Sequence, residues 1–409
     1  MKSKTILTFL RLSLMLFLQF MMFAVWWVPL AAYLTNIGVE GAQKALILSS
    51  MAIGCLASPL VGTIADRFLS SERVLMITNV LTAVLLFFAA RQTDPTWLFF
   101  ILLLAMIVYM PSWGLTSAIA MAHAPSEQFP RIRVFGSIGW VVSGIFSVLA
   151  IKVFGVKFDG TNIPLYCGAG IALVAAVLNF TLPSTPSNKS KEPLSVIDVL
   201  GLRSLSMLKE KDFAVFIGIS FLAMIPFALY WSYLSQFLQD VGFKYITVTM
   251  NWGQFAEMFF LILVPIMLKR FGVRTTMILG LVALLVRYIA FYAGDMNGIP
   301  GLYFVAILVH GIIYGFFFVG GQVYIHKKVP EELNAQAQGF IFLVTFGLGL
   351  LVGNFINGEL IQAFSTTVGD KTIVDWTGIW GVTSICTVFV LILFVLFFKD
   401  KVLTVKETN

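Results

Sequence analysis

Gly62-Thr63-Ile64-Ala65-Asp66-Arg67-Phe68, closed by Arg73, and Leu268-Lys269-Arg270-Phe271-Gly272-Val273-Arg274 decide the layout of this chain. Each is a short basic turn between long apolar runs, and their Arg-Phe pairs stand 203 residues apart, about half of the 409-residue sequence. A repeat at that period points to two related halves. Working outward at the roughly 20 apolar residues that a bilayer crossing needs, the sequence predicts helices at 5–35, 42–66, 72–91, 96–122, 133–154 and 162–183. Six more are predicted at 212–238, 247–270, 273–293, 300–325, 333–363 and 374–399.

Between the sets lies the one long polar connection, 184–211, with Pro186, Pro193, Ser187 and Ser190 beside Lys189, Lys191, Arg203, Lys209 and Lys211. It reads as a solvated cytoplasmic linker with a surface helix at 194–208. The expected domains are a six-helix bundle over 1–183, the linker 184–211, and a second six-helix bundle over 212–409. The fold class is therefore an all-α membrane protein of twelve transmembrane helices in two pseudo-symmetric bundles.

Composition agrees. Hydrophobic residues make up 59% of the chain and charged residues 11%, against about 25% charged in a soluble domain. The net charge of +7 is spread over short loops and forms no basic domain, so nucleic acid is not an expected partner. Lipid is. If both termini are cytoplasmic, 18 basic residues fall on the inner side and 6 on the outer, with Arg11, Arg133 and Arg287 inside helices. That asymmetry sets the orientation. The apolar run from Ile6 is too long for a signal peptide and reads as an uncleaved first helix. Cys55, Cys167 and Cys386 have no paired spacing and no histidine cluster, so neither a disulfide nor a metal is expected. No G-x-x-x-x-G-K-[ST] run occurs, and no cofactor or enzymatic chemistry is expected.

The first turn resembles the G-x-x-x-D-R-x-G-R-R signature of the major facilitator superfamily. Gly62, Asp66 and Arg67 match, and Leu69-Ser70-Ser71 replaces the closing G-R-R. Gly62 would permit close helix approach, Asp66 would cap or pair with a neighbour, and Arg67 would hold the interface.

Ionisable residues deep in the bilayer cost roughly 2.5–3.5 kcal/mol on insertion scales, so each asks for a reason. In helix eight, Asn251, Gln254 and Glu257 are spaced three apart on one face. Glu257 lies near mid-span, where loss of water favours the protonated carboxyl, as a proton carrier requires. A structural pairing with a fixed cation is the alternative. Arg133, Ser137 and Trp140 share a face of helix five, although Arg133 also suits interface anchoring. His310 and Tyr314 share a face of helix ten, where the imidazole could titrate, donate to substrate or bond a carbonyl. Gln19 and Trp26 share a face of helix one, and Trp26 with Trp27 also fits an interfacial belt. Tyr230 and Trp231 in helix seven could offer a flat stacking surface. Arg287 is expected to pair with Asp295 or to snorkel to the outer interface.

Over its whole length the chain resembles the nucleoside:proton symporters, a branch of the same superfamily. The resemblance rests on Phe17-Leu18-Gln19-Phe20, Asp66-Arg67, Tyr109-Met110-Pro111, Ile132-Arg133-Val134-Phe135-Gly136-Ser137-Ile138-Gly139, Gln254 with Glu257, Ala335-Gln336-Ala337-Gln338-Gly339, and Asp375-Trp376. It implies that Arg133, Ser137, Gln254 and Glu257 line a substrate cavity, with aromatic sites at Trp140 and Tyr314. Two departures stand out. Gly315 occupies the place of a family Asp, and His310 that of a Tyr; helix seven has Ala228 and Trp231 near a family Gln and Asn. The resemblance implies an inner-membrane importer of nucleosides with protons, working by alternating access; the chain's own residues make Glu257 and His310 the candidate proton-coupling groups, and a monomer is expected. A proton-coupled sugar or small-glycan symporter and an uncoupled facilitator remain alternatives, because sugars also stack on Trp and bind Gln, Glu and Arg.

Overall fold

A computed structural model describes residues 2–124, 128–185, 202–369 and 371–399. The chain is mostly helical, and nine of its helices among the described residues are long and apolar enough to cross a membrane. Their outward faces are apolar: Ile262 and Ile385 are each 70% exposed or more. Surface of that kind is stable only against lipid. Residues divide into two compact units, Met1–Ser195 with Ser232–Asn251, and Val196–Trp231 with Trp252–Asn409.

The first unit holds spans Ile6–Asn36, Ser71–Ala89, Pro95–His123 and Arg131–Lys152, with the shorter Ile163–Asn179 and the helices Gly41–Leu48 and Ser50–Phe68. Helix Pro95–Tyr109 starts where Asp94 accepts hydrogen bonds from the backbone of Thr96 and Trp97, with Pro95 at the first helical position. Small residues set the packing. A Cβ on Gly139 would collide with the Phe17 carbonyl oxygen, so helix 131–152 meets helix 6–36 backbone to backbone. Phe23 is the aromatic hub, stacked on Tyr109 and Trp27 and edge-on to Trp26, Trp113 and Trp140. Segment 232–251 is tied to this unit. Ser235 accepts from the Ala32 N–H, Gln239 donates to Asn36, and Lys44 donates to both Thr35 and Gln236.

The second unit takes Lys211–Trp231, the helix from Trp252 to Asn297, Pro300–Lys328, Ala337–Ala363 and Trp376–Phe397. The 52-residue helix Ile246–Asn297 is parted at Gly272, whose φ of 77° and ψ of 170° no side-chain-bearing residue adopts comfortably. This is the second of the two basic turns, and the break separates the predicted helices 247–270 and 273–293. A Cβ on Gly311 would lie 2.7 Å from the backbone of Ala256 and Glu257, which seats helix 300–328 directly on the Glu257 helix. Three π-helical stretches, Leu229–Tyr233, Ile313–Val319 and Leu343–Gly349, widen the helices around the buried histidine described below. Two features differ from the sequence reading. The connection between the last two predicted helices contains an antiparallel hairpin pairing Ser365 with Val374. Most of the expected surface helix 194–208 lies outside the described residues, and Leu202–Lys209 is a 3-10 helix.

Candidate functional site

Helix eight presents its three polar residues to different partners. Asn251, in the first unit, donates to the carbonyls of Trp140 and Val141 and to the Ser143 hydroxyl, at 3.1–3.3 Å. Those groups flank the break in helix five at Ser143-Gly144, so the amide adds a donor to carbonyls that the tightened turn also serves from Ser143 and Gly144. Gln254 and Glu257 belong to the second unit and meet each other: Gln254 Nε2 donates to Glu257 Oε2 at 2.6 Å. The i, i+3 spacing puts them one turn apart on the same face.

Glu257 is 5% exposed. His310 Nε2 stands 3.7 Å from its Oε2. On the other edge of the imidazole, Arg287 Nη2 lies 2.9 Å from His310 Nδ1, and Arg287 Nε donates to the Ala306 carbonyl at 3.1 Å. Tyr230 completes the group, its ring stacked on His310 at 5.2 Å and covered by the Arg287 guanidinium at 3.6 Å. Tyr314 is 6.1 Å from His310 and 5.7 Å from Phe318, partly exposed on the same helix. The result is a continuous polar file, Arg287–His310–Glu257–Gln254, walled by Phe227, Tyr230 and Tyr314. A carboxylate so enclosed, with an amide donor on one side and an imidazole on the other, has the surroundings to hold a negative charge and to take up a proton.

In the first unit, Arg133 lies over the Phe20 ring at 4.5 Å, and Phe20 stacks on Trp113. Ser137 follows one turn later, partly exposed, and Trp140 is packed against Phe23. Gln19 and Trp26 are elsewhere. The Gln19 side chain exchanges hydrogen bonds with Asn79 and donates to Ser112 at 2.7 Å, with no exposed surface. Trp26 packs on Phe23 and Trp27, and a Cβ on Gly168 would meet it at 2.8 Å. Both belong to the packed interior of the unit. The backbone of Gly62, Asp66 and Arg67 closes helix Ser50–Phe68, and their side chains lie outside the described residues.

Arg287 is the residue that the sequence reading placed wrongly. It neither snorkels nor pairs with Asp295; it is fully buried, and Asp295 bonds Thr377 at 2.6 Å and Tyr303 at 3.4 Å. Its position near the middle of 273–297 was the available signal, since a side chain that deep cannot reach an interface.

A sequence profile described as the nucleoside H+ symporter matches residues 6–402. The chain belongs to the nucleoside H+ symporter family. Among its relatives, "Putative nucleoside transporter YegT" of Escherichia coli K12 is 36% identical over 96% of this chain and 94% of its own length. The xanthosine permease of the same organism is 30% identical over 95% of this chain and 96% of its own. The crystal structure of the nucleoside transporter NupG superimposes with a TM-score of 0.85 at 27% identity, covering 96% of this chain and 100% of that one. The symporter family consists of transporters, so the protein is not an enzyme, and its apolar helices make it a multi-pass inner-membrane protein of the major facilitator fold.

Proposed function

We propose that the protein imports nucleosides together with protons by alternating access. The observation that carries this reading is the enclosed carboxylate of Glu257, bonded to Gln254 and faced by His310, in a chain of this family. A carboxyl shielded from water and supplied with a donor can alternate between charged and neutral forms, and protonation there lets substrate and proton movement be linked. One charge moving inward across 100 mV contributes about 2.3 kcal/mol, enough for about 50-fold accumulation.

In this reading Arg133, Ser137, Trp140, Gln254 and Tyr314 handle the substrate, since amides and hydroxyls suit base edges and ribose while rings stack on a base. His310 handles neither substrate nor proton directly. Gln19 and Trp26, being packed inside the first unit, are left out. The chain is a monomer of twelve helices in two six-helix halves, 1–183 and 212–409, joined by 184–211, with both termini cytoplasmic and the helices in contact with lipid. Gly62, Asp66 and Arg67 form the turn that governs its conformational change.

Uptake by proteoliposomes tests this. Radiolabelled nucleosides should accumulate above equilibrium under an inward proton gradient and collapse to equilibrium with a protonophore. Sugar uptake that nucleosides fail to compete would overturn the substrate class. Nucleoside uptake that ignores the protonophore would make the protein a facilitator, the reading that Gly315 favours.

A further inference from the structure

The file Arg287–His310–Glu257–Gln254 has a direction, and Arg287 sets it. A guanidinium has five N–H donors and no acceptor. With Arg287 Nη2 at 2.9 Å, His310 Nδ1 can therefore only offer its lone pair, and the ring proton of a neutral imidazole must sit on Nε2. Nε2 is the atom that faces the Glu257 carboxylate at 3.7 Å. The guanidinium is held in this pose from three sides: by His310, by the Ala306 carbonyl and by the face of Tyr230.

We infer that Arg287 is a positioning residue that locks His310 as a neutral Nε2–H donor toward Glu257 and thereby bars His310 from carrying the coupled proton. The inference rests on the proton-coupled reading above and deepens it. A relay through the ring would pass the Nε2 proton to Glu257 while a second proton arrived at Nδ1. The Nδ1 lone pair is already engaged by Arg287, and an Nδ1–H would point at a buried cation with nothing to accept it. Glu257 is then the titrating member of the file. His310 lies between its charge and that of Arg287, Tyr230 stacks on the His310 ring, and Gln254 donates from the carboxylate's own helix. The Arg287–His310 pair thus compensates the carboxylate at a distance, in a chain whose helix ten has Gly315 rather than a second acid.

The test is the tautomer itself. The chain has three histidines, His123, His310 and His326, so ¹⁵N-histidine spectra of the full-length protein in nanodiscs are assignable with single His→Gln variants. Across pH 5.5–8, His310 should keep an unprotonated Nδ1 and a protonated Nε2 with no titration. Arg287→Met should release Nδ1 from its donor, so that an Nδ1-protonated ring enters the spectrum. Arg287→Lys should restore the Nε2–H signature. A wild-type His310 that titrates in this range, or that is protonated on Nδ1, overturns the proposal. So does an Arg287→Met spectrum identical to wild type. If Arg287→Met does not fold, the wild-type spectrum decides alone. Because these spectra need no substrate, they would still decide the tautomer if nucleoside uptake were to fail.

Discussion

Gln254 donates to the Glu257 carboxylate from one turn away at 2.6 Å, and this contact defines the acid of the second unit. An amide donor stabilises the charged form, while enclosure favours the neutral one. A group balanced in this way is suited to gain and lose a proton within a transport cycle. Glu257→Gln keeps the size and the hydrogen-bonding capacity but removes the ionisation. In vesicles with a 100 mV inward-negative potential, its nucleoside accumulation should fall from about 50-fold to about 1-fold. Full uphill uptake by this variant would remove Glu257 from the coupling mechanism.

Helix contact through glycine makes a second prediction. Gly311→Ala places a methyl 2.7 Å from the Glu257 and Ala256 backbone, and Gly139→Ala drives one into the Phe17 carbonyl. Neither neighbour is a flexible side chain, so whole helices must shift. Each change should lower stability by about 1–3 kcal/mol, read as a lower melting temperature in detergent. Gly218→Ala is the control, since nothing lies within 4 Å of its added methyl. In a helix interior that exchange should be neutral or stabilising by up to about 1 kcal/mol. Equal losses at all three sites would contradict the packing account.

The helices themselves were legible because a bilayer demands a length and a composition that few other folds share. The parting of 246–297 at Gly272 was legible too, through the half-chain repeat that puts Arg270-Phe271 where Arg67-Phe68 stands in the first half. Pairings that cross between helices were not. Arg287 and His310 are 23 residues apart on neighbouring helices, and Tyr230 comes from a third, so no single periodicity connects them. Gln19 shows the converse limit. A polar residue on an apolar helix reads as a cavity residue until its partners Asn79 and Ser112, 60 and 93 residues away, are seen. The π-helical stretches escaped for a related reason: their extra residue is stabilised by packing around them rather than by local propensity.

Asn251 bears on the helix-five break. Its amide donates to the carbonyls of Trp140 and Val141 beside Ser143-Gly144, where the Ser143 N–H and hydroxyl also serve Trp140 and the Gly144 N–H serves Val141. Asn251→Ala removes these bonds while Ser143 and Gly144 still donate to the two carbonyls, so it should cost about 0.5–1.5 kcal/mol. Asn251→Asp should be the more damaging change, because an ionised carboxylate has no proton to give and would face two carbonyl oxygens. Thermal unfolding of both variants, with Asn251→Asp recovering as the pH falls, checks the assignment. An aspartate variant as stable as wild type at neutral pH would contradict it.

Asp159 yields a prediction in pH. It lies in the connection 153–162, where its carboxylate accepts from the Ser147 hydroxyl at 2.8 Å and from the Thr247 hydroxyl, all within the first unit. It also borders a cleft of about 480 Å³ that Asn36, Gln239 and Lys244 help to line, so solvent protons reach its rim. Burial pushes the carboxyl above its ordinary value, and the two hydroxyl bonds oppose that only in part. The folded protein therefore holds this proton more tightly than the unfolded chain does. Below the ordinary carboxylate value of about 3.9 both states are protonated and the full stability is present. As the pH rises, the unfolded chain ionises first, and stability is lost until the pH has passed the raised folded value. Asp159→Asn removes the ionisation; its single oxygen serves one of the two hydroxyls, a loss that does not depend on pH and so shifts the curve without changing its slope. The melting temperature of wild type minus that of Asp159→Asn should therefore decline as the pH climbs from about 4 and level off above the raised value. The slope is set by this one group, because the remaining carboxylates cancel in the difference. A difference that stays flat, or that grows with pH, would mean that the ionised carboxylate is the form the fold prefers.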